Sequence, residues 1–244
     1  MMYVLIGMSL LFVAIGFIVT ENNAKYLLSG YNTMSEEERK KVDIKAYIPY
    51  FRKFHIFLSV SFFLFGTLLT YLIHENAGGI FVGVYPILAY IYFICTSSKY
   101  FTGVPTKGNK IGVFILIVTL ILIIGFLGRD IKEDKLIFNS KAIEFKGSYG
   151  EVLPQTAIKS IELVDEKPKI TRRTNGFSLG TIQKGYFKTD KDEIIKLILN
   201  ADNKPYLLLT KSNGKKIYYS AKEESNEKLL NEIKKTLPDI LYKK

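Results

Sequence analysis

Three groups of residues have types and spacing that could do chemistry. The first is Gly176-Phe177-Ser178-Leu179-Gly180, a literal G-x-S-x-G. In α/β-hydrolases this spacing works because the serine rides a strained strand-to-helix turn and a histidine follows later in the chain. Here the run after Gly180 is strand-like, and the chain's two histidines, His55 and His74, both precede the motif. The glycines are better explained as relief of crowding in a loop or bulge. The second group, His55, His74 and Cys95, lacks any spacing that would gather a zinc ion. The third is basic: Lys167, Lys169, Arg172, Arg173 and Lys184. Arginine forks suit bidentate contacts with phosphate, so Lys169, Arg172, Arg173 and Lys184 are the candidate ligand-binding residues. No catalytic residue, metal site or cofactor is expected, and the chain is not expected to be an enzyme.

The elements that must carry these residues fall into two halves. Of 34 Lys/Arg and 23 Asp/Glu, the charged mass lies after residue 128, with net charges of +4 before it and +7 from residue 129 onward. Four uncharged runs fill the first half: residues 3–20, 54–73, 77–98 and 111–128. At 1.5 Å per helical residue each approaches the ~30 Å of a hydrocarbon core. A signal peptide is disfavoured for the first run, which lacks a basic leader segment. None of the four runs holds Asp, Glu, Lys or Arg, which argues against an active carrier, because transporters keep ionisable groups within their spans. Gly79-x-x-x-Gly83 permits close helix packing, and Pro86 predicts a kink.

Between the first two runs, Ser35-Glu36-Glu37-Glu38 reads as a capping box. It predicts a short helix through about Tyr47 that ends before Pro49. The segment YLLSGYNTMSEEERKKVDI, residues 26–44, resembles an uncharacterised bacterial membrane family with a Gly-Tyr-Asn-Thr-Met-Ser signature. That resemblance covers roughly the first hundred residues. It implies a small bacterial membrane protein and no particular activity.

From Lys135 the chain turns to short β-branched and aromatic runs: 135–139, 142–147, 157–164, 183–189, 193–200, 206–211 and 216–221. Ser140-Lys141 and residues 150–156 break them, and Ser212-Asn213-Gly214 carries a hairpin signal. An amphipathic helix closes the chain, about Glu223 to Leu237, with the stripe Leu229, Leu230, Ile233 and Leu237. About seven antiparallel strands and one helix predict a bent sheet or partial barrel with the helix over an opening. Tyr149-Gly150, the run 158–163, Arg173-Thr174-Asn175-Gly176, Gly180 and Lys184-Gly185-Tyr186-Phe187 resemble the bacterial pleckstrin-homology-like (PH) domains, over about residues 135–241. The resemblance implies an all-β PH-like barrel with one C-terminal helix, used for binding, with no ligand assigned. In that fold, strand-connecting loops gather basic residues at the open end.

The expected architecture is a membrane helical bundle of about four spans over residues 1–128, followed by a PH-like β domain over 129–244. The expected function is a bacterial cell-membrane protein that tethers a lipid- or protein-binding module. Membrane lipids, anionic headgroups or a membrane protein are the expected partners, and nucleic acid is not. An immunity protein against a membrane-active agent and an accessory transporter subunit are the alternatives. Lys and Arg in short loops stay cytoplasmic. Segment 21–53 holds seven, segment 99–110 holds Lys99, Lys107 and Lys110, and segment 74–76 holds none. Four spans then place the C-terminal domain outside, with Arg129, Lys132 and Lys135 pulling the other way.

Overall fold

The computed structural model describes residues 1–103 and 107–242, so part of the loop expected over 99–110 lies outside the described residues. The chain divides into two compact units, Met1–Gly125 and Phe126–Lys244.

The first unit is helical. It contains α1 (Met2–Ile18), two single-turn helices α2 (Ala24–Leu27) and α3 (Glu36–Arg39), α4 (Ile44–Leu68, extended by a wider turn to Ile73) and α5 (Glu75–Ser97). The helix α6 (Lys107–Ile131) begins here and runs into the second unit. Three helical stretches, Ile44–Ile73, Glu75–Tyr100 and Gly108–Ile131, are long and apolar enough to cross a membrane, and α1 is a shorter apolar helix of 17 residues.

The capping box forms as read. The Glu38 amide donates to Ser35 Oγ at 3.3 Å and the Ser35 amide to Glu38 Oε2 at 2.9 Å. The helix it starts, however, ends at Arg39. A separate helix begins after Asp43, whose carboxylate accepts from the Ala46 amide at 3.0 Å, and it continues through Pro49. Pro49 forfeits one backbone hydrogen bond in the second turn, and the rings around it hold the helix. Tyr47 and Tyr50 pack against Phe93, Tyr100 and the start of the loop beyond. The second span thus starts ten residues earlier than its apolar run, and Arg52 and Lys53 lie on the helix rather than before it.

Helix α1 runs antiparallel along α4. Gly66 lies against Leu5, Ser59 Oγ donates to the Ser9 carbonyl at 2.8 Å, and a Cβ on Gly16 would stand 2.9 Å from His55 Cβ. Helices α4 and α5 are joined by three polar rungs: Tyr50 with Thr96, His55 Nε2 with the Tyr90 hydroxyl at 3.2 Å, and Ser61 with the Tyr85 hydroxyl at 2.6 Å. His55 is 1% exposed. Its Nδ1 faces the Phe51 carbonyl at 2.8 Å and must donate there; in a neutral ring Nε2 then accepts from the Tyr90 hydroxyl. Such bonds hold helices together in lipid, where apolar burial contributes little. The glycines that permit close approach are Gly16, Gly66 and Gly78, which lies against Thr70; Gly83 of the G-x-x-x-G faces open space.

The second unit is β-rich. Strands β1 (Lys135–Phe138), β2 (Ala142–Lys146) and β3 (Glu151–Pro154) form one antiparallel sheet. A seven-stranded sheet contains β4 (Ile158–Val164), β5 (Ile170–Leu179), β6 (Ile182–Thr189), β7 (Ile194–Leu199), β8 (Tyr206–Lys211), β9 (Lys216–Ser220) and β10 (Leu241–Tyr242), in the order β10-β4-β8-β9-β7-β6-β5. Helix α7 (Asn226–Thr236) buries Leu229, Leu230, Ile233 and the following Leu237 in one core with Ile143, Phe145 and Leu153 of the small sheet and Ile161, Leu207, Leu209, Ile217 and Tyr219 of the large one. The amphipathic stripe therefore does what its spacing implies.

The topology corrects the sequence reading in three ways. The strands make two open sheets and no closed barrel. The sheet is mixed, because the β8–β9 hairpin inserts with β9 beside β7, making β7·β9 parallel, and β10 adds to β4 in parallel. Two strands fall in stretches read as breaks or loops: β3, and the polar edge strand β5. The G-x-S-x-G lies at the end of β5 and in the turn into β6, a strand–turn–strand hairpin. There Gly176 and Gly185 are register partners whose bare Cα atoms let the strands close, since a Cβ on either would overlap the other strand's backbone.

Candidate anion-binding site

At the last turn of α6 the chain passes from apolar to charged, and within six residues it enters β1. A cavity of about 570 Å³ opens there, lined by Arg129, Lys132, Glu133, Asp134 and Lys135 on one stretch and by Lys146, Gly147 and Ser148 on the turn after β2.

Two acidic side chains in this region are consumed internally. Asp130 is buried and accepts from Ser148 Oγ at 2.8 Å and from Arg129 Nε at 3.0 Å. Asp134 pairs with Lys184 at 2.6 Å, and their side chains are 2% and 0% exposed. Lys184 Nζ also donates to the Lys132 carbonyl. Asn200 completes the clamp, its Oδ1 accepting from the Asp134 amide at 2.7 Å and its Nδ2 donating to the Asp134 and Ser220 carbonyls at 3.0 Å each. The Asp134 carboxylate lies over the bare face of Gly147, where a Cβ would overlap it, and its Oδ2 has no hydrogen-bond partner. Glu133 is also engaged, accepting from the Lys222 amide at 3.0 Å.

The cations are not matched in the same way. Among the described residues no carboxylate pairs with Lys132, Lys135 or Lys146. Lys135 and Lys146 are also direct register partners across β1 and β2, both exposed. Like charges placed opposite each other on one face are destabilising. An anion between them would remove that cost; Ser148 lines the same cavity, with its hydroxyl already given to Asp130.

The residues singled out from sequence are placed differently. Lys169, Arg172 and Arg173 are exposed. Arg172 and Arg173 are consecutive on a strand, so they leave it towards opposite faces, and register shifts flank them on both sides. They lie on the sheet's outermost strand, where exposed cations also discourage pairing with another chain. Lys167 turns to Gln183 Oε1 at 2.7 Å and over the Tyr206 ring, and burial lowers its ammonium pKa despite the opposing charge of Asp202. Lys184 leaves the cluster altogether: it is buried against Asp134. The expectation that Lys184 joins an exposed basic site is thereby corrected, the reason being that β6 alternates and puts Lys184 on its inward face with Ile182.

Reading the sequence missed Lys132, Lys135, Lys146 and Ser148. The signal was present, since a hairpin centred on Ser140-Lys141 sets Lys135 opposite Lys146.

A family model described as a domain of unknown function (DUF3784) matches residues 6–101. The match begins within α1 and ends just after α5. It is consistent with the expected uncharacterised membrane family over that region and stops short of the β-rich unit. No curated protein and no solved structure matches the chain.

Proposed function

We propose that this chain is a multi-pass protein of the bacterial cell membrane that tethers a binding module, and that the module engages anionic lipid headgroups through the cavity at Arg129, Lys132, Lys135 and Lys146. The observation that carries this is the unneutralised Lys135–Lys146 pair on a cavity that begins where the apolar stretch of α6 ends. Headgroups occupy that depth, and each basic residue near an anionic surface contributes about 1 kcal/mol. The PH-type assignment is supported by the order of strands followed by one packed helix, although the sheets stay open. α1 lies antiparallel along the apolar part of α4 from Leu5 to Gly16, so the two share a depth, and α1 crosses with it. Four crossings leave both termini on one side, and the cations of segment 21–53 make that side the outside.

Calorimetric titration of the detergent-purified full chain with short-chain phosphatidylglycerol tests the site. Lys135→Ala with Lys146→Ala is expected to weaken binding about tenfold or more, and less so at high salt. The pair Lys234→Ala with Lys235→Ala on α7 is expected to have little effect. Equal losses from the two pairs, or equal binding of short-chain phosphatidylcholine, would refute the proposal.

A further inference from the structure

A second cavity in the β-rich unit is smaller, about 190 Å³, and is lined by Glu151, Tyr186, Ile194, Lys196, Lys211, Lys215, Lys216 and Ile217. Four lysines line it, from three strands and a turn, and the fold explains why. Residues 211–214 form a turn, with the Gly214 amide donating to the Lys211 carbonyl at 2.9 Å and Gly214 at φ +82°. This three-residue loop, with glycine in the left-handed position, sets Lys211 and Lys215 opposite each other. The parallel pairing of β7 and β9 then puts Lys196 opposite Ile217, one residue from Lys216.

We propose that this cavity binds one phosphate group, as inorganic phosphate or as the phosphomonoester end of a larger molecule. Glu151 reaches across from the small sheet and holds Lys196 at 2.8 Å with one oxygen and Lys211 with the other. Lys216 is held by Glu193 at 3.0 Å. Lys196 and Lys211 share the one carboxylate of Glu151 and, among the described residues, Lys215 has no carboxylate partner, so these three cations against one carboxylate leave two positive charges unmatched. A phosphate dianion supplies that charge.

The surroundings raise the value of those charges. The Lys196 side chain is only 6% exposed, its ammonium lies 5.6 Å from the centre of the Tyr186 ring, and Ile194 and Ile217 complete an apolar wall. Charges beside low-dielectric walls interact more strongly than charges in open water. Glu151 is a positioning residue: it fixes two ammonium groups, Glu193 holds Lys216, and Lys215 is left to meet the ligand. Size decides the class. At ~30 Å³ per water the space holds about six waters, below the ~300–1,000 Å³ of pockets that enclose a whole small-molecule ligand. A phosphate group fits, whereas a nucleotide does not fit inside.

The experiment uses the full chain in neutral detergent, with thermal unfolding followed in the β-sheet circular dichroism band. Sodium phosphate replaces sodium chloride at constant ionic strength, and short-chain phosphatidic acid is titrated in parallel. Phosphate is expected to raise the midpoint in a saturable way, more at pH 7.5 than at pH 5.5, because a phosphomonoester gains its second charge near pH 6. Lys215→Ala and Lys216→Ala, both near the surface, are each expected to weaken the response about fivefold. Lys135→Ala with Lys146→Ala is expected to leave it intact, which separates this site from the membrane-proximal cavity. A response to inorganic phosphate identifies the phosphate group itself as sufficient. A response to phosphatidic acid alone, still lost in Lys215→Ala, supports the site with a lipid as the source. No response to either probe, or a response unchanged by both lysine substitutions, overturns the proposal.

Discussion

The Lys184–Asp134 pair makes a sharp test of how this β-rich unit is held together. At 2.6 Å and an effective dielectric constant of about 20, the gross attraction is roughly 6 kcal/mol. Desolvating two ions costs several kcal/mol each, so the pair as a whole is expected to contribute little net stability. Removing one member has a different consequence. Asp134→Ala leaves a fully buried ammonium facing only the Lys132 carbonyl, which is expected to cost about 3–5 kcal/mol. For a unit of this size one kcal/mol corresponds to about 4 °C, so the unfolding midpoint is expected to fall by roughly 12–20 °C. Replacing both, as Asp134→Leu with Lys184→Met, removes the uncompensated charge and is expected to bring the midpoint back to within about 5 °C of the parent. Thermal unfolding of the purified full chain, followed in the β-sheet dichroism band for this double variant and for Asp134→Leu and Lys184→Met singly, completes the double-mutant cycle. If the double variant is as unstable as the sum of the singles, the two charges do not act on each other and the argument from burial is wrong.

Three further outcomes follow from particular contacts. Gly16→Ala places a Cβ 2.9 Å from His55 Cβ, on the backbone side of α4; overpacking of this kind costs about 1–3 kcal/mol, measurable as a lower midpoint of helical unfolding in detergent, whereas Gly83→Ala, facing open space, is expected to leave it unchanged. Burial pushes the Glu151 carboxyl up, but hydrogen bonds and charge from Lys196 and Lys211 outweigh it and hold the group below the ordinary carboxylate range. A carboxyl depressed in the folded state contributes stability above its unfolded value and loses it as pH falls through the folded one, so Glu151→Gln is expected to flatten the stability–pH curve below about pH 4.5, and an unchanged slope there would sink the assignment. A cysteine at Ser212 in a Cys95→Ser background is expected to react with an impermeant thiol reagent on intact cells if the proposed four crossings hold; protection would reverse the proposed topology.

The sequence alone determined the two-part organisation, because the long hydrophobic runs and the short strand runs closed by one amphipathic helix are local patterns that burial enforces whatever the neighbours. It also determined the Ser35 cap, the hairpin at Gly214 and the buried face of α7, each a matter of residues within one or two turns. Span boundaries were less legible. Helix α4 begins at Ile44 and passes through Pro49, where the rings of Phe93 and Tyr100, about fifty residues away, pack on its first turns. Strand order belonged wholly to the tertiary structure: nothing in β7, β8 or β9 says that β9 lies between the other two, and that choice makes the sheet mixed and brings Lys196, Lys211 and Lys216 together. The edge strand β5 escaped notice because a strand with one free edge needs few apolar residues. Charge was the most misleading signal of all. Lysines look alike in sequence, yet Lys184 is buried against Asp134, Lys215 has no carboxylate partner among the described residues, and Lys135 is the register partner of Lys146. Burial and long-range partners decide what a cation does, and those exist only once the chain has folded.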